Sequence, residues 1–335
     1  MDPLLATAVE QPEPGRYVLT WDDRFTASAV TVRAATTAAA APDGVVVAEG
    51  ARGGAEIVVD DPARRWYFHL LADDGAALVV AERGVPFAGA VNFRDIGGYA
   101  TADGRRLPWG RLYRSGHMTH LTESDKALFA TLGIATVIDF RMELERAAEL
   151  TELPGAPALH VLGVPPGVGT KDFLDNVFAS AEGPEPVVDA MHAILRGLVR
   201  ECAPYYARLF ERLLEAPAGA VLLNCSAGKE RTGVGVALLL AALGVPLETI
   251  RYDFMLSARY FPAEQEVPRV IEKYNVQRGE ASRAIIWPLL EARASYLEVV
   301  LEAIEEDCGS MTAFLESKLG LGEAERARLV AAYTV

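Results

Sequence analysis

Ala220-Val221-Leu222-Leu223-Asn224-Cys225-Ser226-Ala227-Gly228-Lys229-Glu230-Arg231-Thr232-Gly233 is the stretch from which the fold of this chain is read. AVLLN (220–224) has the length and composition of a buried strand, and GVGVALLLAAL (233–243) those of a buried helix. Strand, glycine-bearing loop, helix is the α/β arrangement that presents a loop at the carboxyl edge of a parallel sheet. The loop has the form C-x5-R-T-G. Backbone N–H groups turned inward from such a loop join the helix dipole in holding a tetrahedral oxyanion. The same field favours a thiolate at Cys225, the form that attacks phosphorus. Arg231 closes the ring, because a planar guanidinium grips two oxygens at once. Thr232 is placed to donate its hydroxyl to the sulfur. Ser226, Ala227, Gly228 and Lys229 line the loop, and Ser226 offers its backbone N–H rather than a nucleophile, having no G-x-S-x-G frame. The competing reading is an inert buried cysteine with a surface arginine beyond it. The strand before, the helix after and the glycine at the fourth loop position weigh against that.

From about residue 86 onward strands alternate with helical patterns. IATVIDF (134–140) reads as another buried strand, and Thr122 with Asp125 as a helix start close to a capping box. A helical region spans 187–215 with a break near Pro204, and Tyr296, Leu297, Val300, Leu301 and Ile304 form the packing stripe of a helix stopped at Gly309. Upstream the composition differs. RYVLTW (16–21), SAVTVRA (28–34), GVVVAE (44–49), AEIVVD (55–60), RWYFHLLA (65–72) and ALVVAER (77–83) are short, rich in valine and aromatics, and separated by turn residues. They suggest a β-sandwich resembling a fibronectin type III or immunoglobulin-like module. The alanine-rich stretch 34–41 reads as a loop. The expected organisation is a tail (1–15), an accessory β-sandwich (16–85) and an α/β catalytic domain (86–335).

In 335 residues, 46 acidic side chains face 32 basic ones, a net charge of −14 that argues against nucleic acid and against an extended anionic membrane surface as partners. Cys202, Cys225 and Cys308 have neither disulfide-framework nor zinc spacing, and His69, His117, His120, His160 and His192 show no metal-binding pattern. No metal and no cofactor are expected, and Cys202 and Cys308 read as structural. The longest uncharged run, Thr232 to Leu247, is broken by glycines and Pro246 and falls short of a membrane span. With no basic stretch or apolar core at the amino terminus, the expectation is a soluble cytoplasmic protein in a reducing compartment.

Four motifs in order, Asn92-Phe93-Arg94-Asp95-Ile96-Gly97-Gly98-Tyr99, Tyr113-Arg114-Ser115, Ile138-Asp139-Phe140-Arg141 and Cys225 to Gly233, resemble the atypical bacterial and fungal tyrosine phosphatase family. The resemblance covers residues 86–335 and leaves out 16–85. It implies that Cys225 is the nucleophile and Arg231 the phosphate-binding arginine. Lys229 matches a lysine associated with activity on phosphoinositides as well as phosphoproteins. Glu230 stands where the family has an aspartate taken as general acid, one methylene longer, which moves the carboxyl by about 1.5 Å. Asn224 stands where the family usually has histidine, and since it carries no positive charge a less depressed thiol pKa is expected. Asp139, at the end of its strand, is a rival general acid unless it pairs with Arg141 or Arg114. Arg94 and Asp95 either fix the loop through a network or contact substrate directly. The region 254–290 is expected as a helical cover, as in some relatives.

These readings converge on phosphomonoester hydrolysis through a phosphocysteine, on phosphotyrosine protein with phosphoserine, phosphothreonine or phosphoinositide as further substrates. A phosphate-recognising binding protein without turnover is the alternative. A sulfurtransferase gives no reason for Arg231-Thr232, and an arsenate reductase needs a resolving thiol near Cys225. The partner of the amino-terminal module is unknown. Lys229 and Arg231, with Arg94, Arg114 and Arg141 near them, would form a positive pocket in a negative shell, so moderate salt should not harm substrate encounter.

Overall fold

The computed structural model describes residues 2–39, 44–62, 64–165, 171–215, 218–276 and 281–335. In the amino-terminal part β1 (Thr7–Glu13), β2 (Arg16–Trp21), β3 (Val30–Ala35), β4 (Val45–Ala51), β5 (Gly54–Val58), β6 (Tyr67–Ala72) and β7 (Ala77–Val80) pair as two antiparallel sheets, β1-β2-β5 and β4-β3-β6-β7. Burial alternates along β2 at Tyr17, Leu19 and Trp21 and along β3 at Val30, Val32 and Ala34, so each strand has one apolar side. Tyr17 and Phe68 meet edge-on across the sheets, ring centroids 5.0 Å apart.

The first fifteen residues are not a tail. Pro3–Ala6 make a 3-10 turn capped by Asp2, and β1 pairs with β2 from Thr7↔Trp21 to Glu13↔Arg16. Pro12 is tolerated within β1 because β1 is an edge strand, whose outer N–H groups have no ladder to feed, and the register shifts between Glu10 and Glu13 around it. The alanine-rich segment likewise starts inside β3, with Ala34 and Ala35; Ala40 and Ala41 lie outside the described residues.

β8 (Arg94–Asp95), β9 (Leu112–Ser115), β10 (Ile134–Asp139), β11 (Ala158–Val161) and β12 (Ala220–Asn224) form a third sheet in the order β11-β10-β12-β9-β8, parallel except for β8. The helices are α1 (Glu123–Thr131), α2 (Glu143–Ala148), α3 (Lys171–Ser180), α4 (Glu185–Arg200), α5 (Ala203–Leu214), α6 (Glu230–Ala242), α7 (Leu247–Met255), α8 (Ser257–Tyr260), α9 (Ala263–Lys273), α10 (Ala281–Leu290), α11 (Ala294–Cys308), α12 (Met311–Leu319) and α13 (Glu323–Tyr333). The fold is a mixed α/β one. Thr122 and Asp125 make the expected capping box of α1, and the 187–215 region divides into α4 and α5 with Pro204 in the first turn of α5. Gly309 ends α11 in a left-handed cap. Among the described residues no helix is long and apolar enough to cross a membrane.

Alternation within this sheet fixes what each strand end presents. Ile138, Val221, Leu223 and Cys225 pack into the larger core, whereas Val137, Ala220 and Leu222 belong to a separate cluster with Phe129. Residues of even parity on β12, and odd parity on β10, therefore point away from Cys225.

Candidate active site

The loop leaves β12 at Asn224 and enters α6 at Glu230. Its carbonyls are pulled outward by groups around it. His117 N–H donates to Ser226 O at 2.8 Å, Asn92 Nδ2 to Ala227 O at 3.2 Å and Gly228 O at 2.9 Å, and Arg114 Nη2 to Gly228 O at 2.8 Å. In a trans peptide the C=O and the following N–H point in opposite directions, so each outward carbonyl turns an N–H inward. The Gly228 N–H accordingly donates to Cys225 Sγ at 3.2 Å. Gly228 has φ +68°, and a Cβ there would lie 2.5 Å from Gly116 N, so no other residue fits.

Arg94 and Asp95 belong to the scaffold. Arg94, fully buried, donates to Asn92 Oδ1, to Asp253 O at 3.1 Å and to Ser257 Oγ at 3.3 Å. Arg114 pairs with Asp253 at 2.6 Å, and Asp95 accepts from Arg65 at 3.0 Å. Of the two roles open for Arg94 and Asp95, the network around the loop is the one these contacts support.

Arg231 is gripped in front. Its Nη1 and Nη2 each lie 2.6 Å from an oxygen of Glu145, whose Oε1 also accepts from Ser226 Oγ at 2.8 Å. Tyr206 OH donates to Arg231 O at 3.0 Å. Burial works against the charge on Glu145, but the bonds and charge of Arg231 outweigh it and hold the carboxyl down to about 2. Burial likewise opposes the charge of Arg231, and Glu145 raises its pKa regardless. Nothing in the sequence separated Glu145 from Glu143 and Glu149 nearby; its partner is 86 positions away.

Lys229 does not face the loop's mouth. Its ammonium donates to the carbonyls of Leu289 (2.7 Å), Leu290 (2.7 Å) and Glu291 (3.1 Å), lies 4.8 Å from the Phe261 ring centroid and 3.5 Å from Glu230 Oε1. The last carbonyls of α10 lack helical partners, and a buried ammonium satisfies them better than water can. Burial lowers the Lys229 pKa, with Glu230 opposing. Glu230 begins α6 and keeps part of its side chain exposed.

Asp139 lies on the other side of the sheet. It pairs with Asn224 in the β10–β12 ladder, and both share the parity of Val137 and Leu222, opposite to Cys225. Its carboxylate accepts from Arg141 N at 2.9 Å, Nε at 3.1 Å and Nη2 at 2.8 Å. The Arg141 pairing weighed as the alternative to acid catalysis is the arrangement found. Arg141 is thus committed behind the sheet rather than gathered into the site. Asn224 is fully buried beside Asp139, its amide unpartnered among the described residues, at a cavity of about 210 Å³. Thr232 Oγ1 is buried without a hydrogen bond among the described residues, so the expected donation to sulfur is not made there. Cys202 is buried with its Sγ 3.5 Å from Pro165 O, Cys308 is partly exposed, and neither forms a disulfide among the described residues.

Helices from the 254–290 region pack on both sides of the loop: Ser257 touches Asn92 and Arg94, Arg269 of α9 pairs with Glu149 at 2.9 Å beside α2, and α10 receives Lys229. Cys225 is 2% exposed and Arg231 9%, so both side chains lie deep in the loop.

The tyrosine phosphatase family model matches residues 85–335. The chain belongs to the tyrosine phosphatase family. It is 31% identical over 254 residues to a protein of Cupriavidus necator that carries the name tyrosine-protein phosphatase, covering 75% of this chain and 89% of that one. The triple specificity protein phosphatase PtpB of Mycobacterium tuberculosis is 29% identical over 266 residues, 70% of this chain and 94% of that one. A tyrosine-protein phosphatase of Nostoc commune is 25% identical over 229 residues, 65% of this chain and 72% of that one. In this tyrosine phosphatase the residues before 85 lie outside the family match.

Proposed function

We propose that this tyrosine phosphatase hydrolyses phosphomonoesters through a phosphocysteine formed on Cys225. The observation that carries the reading is the Gly228 N–H aimed at Sγ at 3.2 Å, within a loop whose carbonyls are pinned outward. In the first step the Cys225 thiolate forms an S–P bond while the P–O bond to the alcohol breaks. The inward N–H groups of residues 227–229 and the Arg231 fork hold the equatorial oxygens, and Glu230 gives a proton to the leaving oxygen. Water then attacks the phosphocysteine, losing a proton to Glu230, and phosphate leaves with the thiolate restored. Glu145 is already ionised by Arg231 and Asp139 lies across the sheet, which supports Glu230 over Asp139 as the acid.

Phosphotyrosine protein is the substrate class we propose first. The name triple specificity of the mycobacterial relative supports testing phosphoserine, phosphothreonine and phosphoinositides as well. Lys229 could read a second phosphate only by releasing three carbonyls of the α10 end, which weighs against inositol headgroups. Residues 16–85 with β1 we read as an accessory β-sandwich built from the two antiparallel sheets. The test is turnover of an aryl phosphate, phosphotyrosine and phosphoserine peptides and phosphoinositides. Cys225→Ser should lower turnover by at least about 10³-fold. Glu230→Gln should remove one limb of the pH–rate profile, and Asp139→Asn should leave both limbs in place. No turnover by the wild type on any substrate, with inorganic phosphate still bound, would establish the binding-protein alternative instead.

A further inference from the structure

Strand β8 is two residues long, and its side chains point opposite ways. Arg94 faces the loop: it holds Asn92 Oδ1, and the Asn92 amide in turn holds the carbonyls of Ala227 and Gly228. Asp95 faces the amino-terminal sheets. Its carboxylate accepts from Arg65 Nη2 at 3.0 Å and from the N–H groups of Gly97 and Gly110 at 2.7 Å each. Arg65 stands just ahead of β6, its guanidinium 5.4 Å from the Tyr67 ring centroid and 5.8 Å from that of Tyr113 in β9.

The chain leaving β7 pairs with the same strand. Val85 N–H donates to Phe93 O at 3.1 Å and Asp95 N–H to Arg83 O at 2.9 Å, so the two parts of the chain share a backbone bridge at the expected boundary between 85 and 86. Glu82 supplies a second path. Its Oε1 accepts from Tyr260 OH at 2.8 Å, and the Tyr260 ring centroid lies 5.7 Å from the Arg94 guanidinium. A Cβ on Gly84 would come within 2.6 Å of that ring, which shows how closely the junction is fitted.

We propose that the amino-terminal sheets brace the catalytic loop, with Arg65, Glu82 and Tyr260 as positioning residues acting through Arg94 and Asn92. This rests on the reading above, that the Cys225 loop carries the chemistry. Removing Arg65 unties Asp95, the β8 neighbour of Arg94, and removing the Tyr260 hydroxyl unties from Glu82 the ring that packs on Arg94, so Arg94 keeps its bonds to Asn92, Asp253 and Ser257 but loses the support behind it. The Asn92 amide then loses its fixed orientation, the carbonyl of 227 loses its donor and that of 228 keeps Arg114, and the N–H groups lose their aim at the phosphoryl oxygens. A merely structural contact would lower stability without coupling to Asn92.

The test is a double-mutant cycle on the full chain, read by aryl phosphate turnover and by inhibition with inorganic phosphate, both well below the melting temperature. Arg65→Met should lower kcat about tenfold and weaken phosphate inhibition in parallel, and Asn92→Ala should lower both further. In the Asn92→Ala background, adding Arg65→Met should change kcat by less than about twofold, because the path is already cut. Tyr260→Phe keeps the ring and removes one hydroxyl, so it carries the same cycle if Arg65→Met does not fold. Effects that multiply in both cycles, or wild-type kcat in both single variants, would overturn the brace. Turnover surviving in Cys225→Ser would instead sink the nucleophile assignment, so the two failures are distinguishable.

Discussion

Two arginine–carboxylate clusters flank the Cys225 loop, and they hold different things. Behind it, Arg94 and Arg114 converge on Asp253, all at most 1% exposed, and the arginines end on backbone carbonyls. Burial, with the charge of Arg114 beside it, lowers the Arg94 pKa to about 9. In front, Arg231 meets Glu145 one to one, in the planar two-point grip that a phosphoryl group would also accept. The rear cluster has no exchangeable anion and acts through geometry. The front cluster fixes the Arg231 guanidinium with a single carboxylate and acts through charge and orientation.

Removing Arg114 should have the largest effect. Arg114→Met removes the closest charge partner of buried Asp253, leaving it Arg94 at 3.8 Å and the Tyr99 hydroxyl at 3.1 Å, and takes one of the two donors from Gly228 O. Breaking a buried pair from one side costs about 3–5 kcal/mol. Denaturant unfolding should show a loss of that order, and turnover by the surviving folded protein should fall by about 10². A stability loss no larger than that of a front-cluster variant would erase the distinction between the two.

Glu145→Gln probes the front. Arg231 stays charged but loses its fixed orientation, so kcat should fall about tenfold while KM moves less than about threefold. The pH dependence gives an independent reading. The Glu145 carboxyl is lower in the fold than its ordinary value of 4.5, so its contribution to stability is full above that value and is lost as pH falls toward about 2. The glutamine variant should lack this part of the acid destabilisation. An identical acid-unfolding profile in both proteins would mean that the front pair contributes no stability, contrary to its geometry.

How much of this was legible in the sequence follows the range of each interaction. The loop was readable because Cys225, Gly228 and Arg231 are local and stand between an apolar strand and an apolar helix. The rear arginines were readable as motifs, but not as a network, since Arg114 meets Asp253 across 139 positions. Glu145 was invisible for the same reason. Lys229 was misplaced because its partners are main-chain carbonyls 60 to 62 positions away, and a carbonyl leaves no trace in side-chain identity. Asp139 turned on parity: the strand end was placed correctly, but which side faces Cys225 depends on register against β12. The edge strand β1 was hidden by prolines that only an edge accepts.

The smallest effect concerns His117, which touches the front of the loop through its backbone alone. Its N–H holds Ser226 O at 2.8 Å, while the ring is buried with neither nitrogen partnered among the described residues. Burial lowers its pKa below 6.5; Glu149 and Glu266 pull upward, and Arg269 and His120 add to the lowering. Between 6.5 and the depressed value the unfolded chain binds a proton that the fold refuses, so stability falls as pH drops through that window. The slope from one such group cannot exceed about 1.4 kcal/mol per pH unit. His117→Leu keeps the backbone bond and removes the titration. Thermal midpoints at pH 7.5 and 5.5 should therefore lie closer together in the variant, with turnover at pH 7.5 within about twofold of wild type. Equal spacing in both proteins would show that the ring is already solvated, whereas a large loss of turnover at pH 7.5 would show that the side chain, and not only the peptide, shapes the front of the loop.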